Sequence, residues 1–252
     1  MRKTASIWIA GILVSLLSLP LFGQQIARSG GAYDQQIQQE MNTLLQSNKK
    51  YNNVTASVND GIVDLSGTVN LYATKAKLEQ QARKKDHVAG VRDEILVGGV
   101  SVPDAQLQTE LARQLRYDRY GFGMVFNNLT IGVKNGVATV GGVVHMPVDK
   151  ESALAIVTTT PGVKGVVDDI KVAPASIFDN RIRFAELRAI YGHLPPSYSN
   201  DPERPIRIVV QNGRVDLYGA VDSAVDRSVA VSEARSVPGV FSVKDHLVIS
   251  KG

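Results

Sequence analysis

Three stretches of this chain carry one pattern, and that repetition constrains the fold more than any other feature. They are DGIVDLSGTV at 60–69, NGVATVGGVV at 135–144 and NGRVDLYGAV at 212–221. Gly61, Gly136 and Gly213 lie 75 and 77 residues apart, and Gly67, Gly142 and Gly219 keep those separations. Asp93, Asp168 and Asp245 each follow the second glycine of their stretch by 26 residues. An ungapped match that continues this far, three times, marks a tandem array of small units. The 252 residues then divide into units at 33–99, 101–174 and 176–250 behind an N-terminal segment.

Each unit reads as α-β-β-α-β. Ile37, Met41, Leu44 and Leu45 repeat at helical spacing in the first opening helix, and Leu107, Leu111 and Leu115 do so in the second. Ser101 and Asp104 have capping-box spacing ahead of that second helix. In the third, Ile182, Ala185, Leu187 and Ile190 trace a less regular stripe. Alternating apolar positions follow: Val54, Ala56, Val58; Leu129, Ile131, Val133; Ile206, Ile208, Val210. Period two predicts a strand with one buried face. Asp60-Gly61, Asn135-Gly136 and Asn212-Gly213 are tight hairpin turns, because these residues accept positive φ. The later glycines Gly67, Gly142 and Gly219 are expected to let the chain leave the sheet or let the next helix pack closely. A helix of about fifteen residues comes next. Its expected inward residues are Ala76, Leu78, Ala82; Val148, Ala153, Ile156, Val157; and Val225, Val229, Ala230, Ala234. Pro161-Gly162-Val163 and Pro238-Gly239-Val240 stop it, and a last strand closes the unit.

The first residues, MRKTASIWIAGILVSLLSLPLFGQQ, have the layout of a secretory signal peptide. Arg2 and Lys3 precede an apolar run from Ile7 to Leu19, Pro20 ends it, and cleavage is expected near Gly23. An uncleaved membrane anchor is the competing reading, but the run is shorter than the ~20 residues a spanning helix needs. The chain is therefore expected to be exported, into a bacterial periplasm. It has no cysteine, which suits an oxidising compartment and excludes a lipidated cysteine, a thiol nucleophile and a thiolate metal site. Removing Arg2 and Lys3 takes the formal charge from +4 to +2, too small for a nucleic-acid-binding face.

The Asx-Gly-x-Val-x-Leu-x-Gly-x-Val core, the order of elements and the Pro-Gly-Val approach to the last strand resemble the BON domain, named for bacterial OsmY and nodulation proteins. The resemblance covers about residues 33–250. The first unit departs from it, with His87-Val88-Ala89-Gly90 where the others have Gly-Val after proline. The resemblance implies an α+β fold: three tandem units, each a three-stranded mixed sheet with two helices on one face. It also implies a non-catalytic envelope module that binds phospholipid or other envelope components and supports envelope integrity or stress tolerance. The motif glycines Gly61, Gly67, Gly136, Gly142, Gly213 and Gly219 are structural, so the resemblance transfers no binding residue.

A basic and aromatic helix end in the second unit is the candidate lipid contact: Arg113, Arg116, Tyr117, Arg119, Tyr120 and Phe122. Cations there meet anionic headgroups and rings sit at the interface. In the plainer alternative the aromatic residues here, with Phe126, cover the core and the arginines are solvated. The segment His193–Pro205 holds four of the ten prolines and lengthens a loop of the third unit, either as a surface loop or as a partner-docking one. His87, His145, His193 and His246 fall at non-equivalent places in the repeats, none at metal-ligand spacing to another. Asp93-Glu94 and Asp168-Asp169 are strand neighbours and point to opposite faces. The pattern points to no catalytic residue, metal or cofactor. A KH-type nucleic-acid module would need a Gly-x-x-Gly loop between helices, and none is present. The expected partner is anionic phospholipid or the membrane surface. The alternative is a protein–protein interaction scaffold that docks envelope or cell-wall components.

Overall fold

The computed structural model describes residues 29–117, 122–201 and 204–250. The first unit holds α1 (Asp34–Gln46), β1 (Val54–Asn59), β2 (Ile62–Val69), α2 (Tyr72–Arg83) and β3 (Gly90–Val97). The second holds α3 (Asp104–Tyr117), a short α4 (Phe122–Phe126), β4 (Asn128–Lys134), β5 (Val137–Val144), α5 (Pro147–Thr159) and β6 (Gly165–Val172). The third holds α6 (Ile177–His193), a short α7 (Pro196–Asn200), β7 (Arg207–Gln211), β8 (Arg214–Val221), α8 (Ala224–Ser236) and β9 (Ser242–Ile249).

The architecture is α+β. Each unit has its own three-stranded mixed sheet, with the first hairpin antiparallel and the last strand parallel to the middle one. A parallel partner needs a crossover, and the second helix of each unit supplies it. Both helices cover the same face. In the first unit Ile37 and Met41 of α1, Leu78 and Ala82 of α2, and Val63, Leu65 and Ile95 of the sheet share one core. The hairpin turns form at Asp60-Gly61, Asn135-Gly136 and Asn212-Gly213, where both residues have positive φ. This geometry matches the twist of the paired strands.

Two devices recur that hold these small units together. An aspartate at the start of the first helix takes both amides of the hairpin turn. Asp34 accepts from Asp60 N and Gly61 N, Asp104 from Asn135 N and Gly136 N, and Asp179 from Asn212 N and Gly213 N. The aspartates 26 residues beyond the second glycine accept the amide two residues on, in Ile95, Ile170 and Leu247. Each also pairs with a cation of the second helix: Lys75 with Asp93, Lys150 with Asp168, Arg227 with Asp245.

Several expectations need correction. The later glycines remain inside the middle strand, which runs on to Val69, Val144 and Val221. They are glycine because the backbone of the first strand approaches there. A Cβ on Gly67 or Gly142 would collide with the carbonyl oxygen of Asn53 or Asn128. Val148 and Val225 do not face inward and are 58% and 70% exposed. Each stands five residues before a buried alanine, Ala153 or Ala230, which places it about 140° around the helix. The second helices have 12 or 13 residues, two or three fewer than expected. Ser101 does not cap α3. The helix starts at Asp104, with Leu107 N on Pro103 O, and the Asp104 carboxylate serves the hairpin instead. His87 takes the positive φ that Gly162 and Gly239 take in the other units, and Tyr33 stacks on its ring at 3.7 Å.

The proline-rich segment of the third unit folds inward in part. Tyr198 of α7 is buried in the core of that unit. Its hydroxyl donates to Asp226 Oδ2 at 2.9 Å and accepts from Asp222 N at 2.7 Å. Replacing Tyr198 with phenylalanine strands that amide. It is expected to cost about 1–2 kcal/mol, read as a lower urea midpoint at unchanged slope. Among the described residues no helix is long and apolar enough to cross a membrane. The expected export signal lies outside those residues.

Candidate functional site

The helix end read from the sequence lies where the second unit meets the third. Leu107, Leu111 and Leu115 bury one face of α3, which leaves Arg113 and Arg116 on its outer surface. The structure separates these two arginines. Arg113 donates through Nε and Nη2 to Glu110 at 3.0 and 2.6 Å. Those bonds, with a further one from Gln114, hold the Glu110 carboxyl down at about 2. Arg113 is thus already paired. Arg116 instead borders a cavity of about 160 Å³ between α3, α4, β4 and the start of β7. Tyr117 closes α3 and Phe122 opens α4, while Arg119 and Tyr120 fall outside the described residues.

The cavity has an apolar wall of Leu115, Met124, Leu129, Ile131 and Pro205. Among the described residues its polar lining is Arg116, Arg207 and Asn127, with no carboxylate. Arg207 comes from the third unit. Burial, and then the like charge of Arg116, push the Arg207 guanidinium below its ordinary range. Asn127 is buried, and its Oδ1 accepts from His145 N at 2.6 Å. That bond fixes the amide, since a backbone N–H can only donate. The Asn127 Nδ2 group is left buried with no acceptor among the described residues. The unpartnered Asn127 Nδ2 and two arginines therefore border one apolar-walled space that has no carboxylate among its described lining residues.

Phe126 shows why this space exists. It is buried in the core of the third unit and meets Phe184 edge-on at 5.4 Å and His145 at 5.9 Å. Helix α4 lies against β7, whose Ile208, Val209 and Val210 are all buried, so both faces of that edge strand are covered. Polar bonds continue the seam. Asn180 Oδ1 accepts from Arg183 Nη1 at 2.6 Å and from His145 Nε2 at 2.9 Å, which assigns the imidazole proton to Nε2. The plainer alternative thus holds for Phe126, with the core of the next unit as its destination.

Sequence reasoning brought Arg116 forward but missed Arg207 and Asn127. Arg207 sits on the outward phase of the Ile206, Ile208, Val210 alternation and reads as solvated. The packing of the second unit on β7, which that alternation does not reveal, brings Arg116 beside it. Among the described residues no cluster of three or more His, Asp or Glu side chains is placed to hold a metal ion.

A model of the BON domain matches residues 33–99, 103–174 and 188–251. The chain belongs to the BON domain family. The third BON match begins within α6, so Asp179, Arg183 and Glu186 precede it. No curated protein matches the chain at a significant level. Among solved structures, CdsD, a structural protein of the Type III secretion system of Chlamydia trachomatis, shares 16% identity. That match covers 85% of this chain and 92% of the other, with a TM-score of 0.25. The periplasmic domain of the secretion-system inner membrane protein PrgH from S. typhimurium shares 10% identity over 84% and 100% of the chains, with a TM-score of 0.18. Superposition this low has no bearing on what the BON repeats here do.

Proposed function

We propose that this protein is a non-catalytic envelope component whose tandem BON repeats bind anionic phospholipid, with the phosphate at the junction of the second and third units. One observation carries the reading: Arg116, Arg207 and the unpaired Asn127 Nδ2 border a space with no carboxylate among its described lining residues. A phosphodiester supplies acceptors for all three donors and screens the two like charges from each other. The apolar wall suits the glycerol and first acyl carbons. Family membership supports the envelope placement. In this reading residues 1–23 direct export and the three repeats support envelope integrity.

The test is flotation with vesicles of phosphatidylglycerol or of phosphatidylcholine at low salt. Binding is expected to the first only. Arg116→Gln with Arg207→Gln removes two cations worth about 1 kcal/mol each and weakens binding about thirtyfold, with circular dichroism unchanged. Arg113→Gln is expected to leave it intact, because Arg113 is already paired with Glu110. Equal binding by the double variant and the parent would move the lipid site elsewhere. Binding to neither vesicle would end the lipid reading.

A further inference from the structure

The third unit exposes three large apolar side chains around one turn. Ile177 and Phe178 are each 73% exposed and Phe241 is 83% exposed. They are neighbours through the backbone. Asp179, next to Phe178, holds the Asn212 and Gly213 amides, and Phe241 N donates to Gly213 O at 2.8 Å. A Cβ on Gly213 would run into the Phe241 ring, so that ring lies over the turn.

The fold does not require these residues. Lys164 and Ala89 stand where Phe241 does and make the same backbone bond, to Gly136 O and Gly61 O. Val102 holds the place of Ile177 and packs inward against Gly162, and Tyr33 holds the place of Phe178 and stacks on His87. Only the third unit turns three large apolar side chains outward here; the first has Ala32, Tyr33 and Ala89 at these places. Solvent-facing Phe and Ile at one protrusion lose favourable free energy unless something covers them.

The charge around the tip indicates what covers it. Arg181 lies over the Phe178 ring at 6.0 Å. Arg214 follows the turn and Arg235 lies in the last turn of α8, before the Phe241 loop, and all three arginines are exposed. The acid at this tip, Asp179, is buried with both oxygens committed to the turn. Apolar side chains with arginines beside them fit an anionic bilayer surface, where rings enter the acyl boundary and cations meet headgroups.

We infer that Ile177, Phe178 and Phe241 form a bilayer-inserting tip, with Arg181, Arg214 and Arg235 on the headgroups. The inference rests on the membrane reading above but on different residues. Its test uses the protein from Gln24 onward, without the proposed export signal and so without Trp8, the only tryptophan, and introduces one new tryptophan at a time. Phe241→Trp reports the tip. Val225→Trp is the control, exposed at the opposite end of α8 and about 18 Å away along the helix axis.

On phosphatidylglycerol vesicles the fluorescence of the Phe241→Trp variant is expected to shift to the blue and to be quenched by lipids brominated in the upper acyl chain. The Val225→Trp variant is expected to do neither. Phe178→Ser is expected to lower partitioning about tenfold with circular dichroism unchanged. Flotation with a silent indole at position 241, or equal responses at both positions, overturns the tip and spares the membrane reading. Absence of flotation overturns the reading on which the tip rests. A blue shift in the Phe241→Trp variant that survives Arg116→Gln with Arg207→Gln supports the tip as a separate contact.

Discussion

Exchanging Glu186 for leucine is expected to stabilise the third unit by about 2–5 kcal/mol near neutral pH. Glu186 is fully buried on the core face of α6, and neither carboxyl oxygen has a hydrogen-bond partner among the described residues. Arg183, one turn earlier, commits Nη1 to Asn180 and Nη2 to the Val210 carbonyl, and its Nε is also unpaired. Burial pushes the Glu186 carboxyl up from its ordinary 4.5 to about 8. The native state therefore keeps a proton near pH 7 that the unfolded chain has released. The native state binds more protons than the unfolded one, so stability falls as pH rises. The contribution is intact below pH 4.5, is eroded between 4.5 and about 8, and is constant above that. Across that window the loss is about 5 kcal/mol.

Urea unfolding of the third unit between pH 5 and 9 reads this directly. The parent should lose stability with pH and Glu186→Leu should stay flat. Glu186→Gln should also be flat but gain less, because it keeps an unpaired polar group in the core. Parallel pH curves for parent and leucine variant would refute the buried, protonated carboxyl. Glu110 acts in the other direction and another window. Its lowered value means stability present above pH 4.5 and lost as pH falls towards about 2.

Removing the Asp179 carboxylate has the opposite sign. Asp179→Ala is expected to cost the third unit about 3–5 kcal/mol, since the Asn212 and Gly213 amides lose their acceptor and the latter bond is buried. It also removes the nearby charge that favours protonated Arg183. Asp34 and Asp104 make the same bonds from half-exposed positions where water can replace them. Their alanine variants should cost about 1–2 kcal/mol. Faster hydrogen exchange at Asn212 and Gly213 would locate the damage at the turn. Equal losses at all three aspartates would remove burial as the reason for the difference.

These two residues show where sequence reading stops. The α6 stripe looked like Ile182, Ala185, Leu187 and Ile190. The buried set is Asp179, Ile182, Arg183, Glu186 and Ile190, a cleaner helical face hidden because three of its members are charged. Hydrophobic periodicity assigns charges to solvent by construction. The aspartate clamps were hidden for another reason. The separation from clamp to turn is 26, 31 and 33 residues in the three units, so no fixed spacing marks them. The junction cavity brings Arg116 and Arg207 together from different repeats, and no local pattern carries that information.

What the sequence determined by itself was the repeat, its element order and its turns. Those depend on contacts within a few residues, on positive φ at Asx-Gly pairs and on alternation along a strand. The family core is of this kind, and so it is legible three times over. Tertiary structure alone decided which charges are paired, which are buried and which apolar groups are left outside. Arg113 was neutralised by Glu110, Arg116 was placed beside Arg207, and Phe126 was sent into the neighbouring core. Phe241 was left at the tip, over a turn that its counterparts Lys164 and Ala89 reach with the same backbone bond. Free energies of charge and burial depend on everything within several ångströms, and the fold, not the order of residues, sets those neighbours.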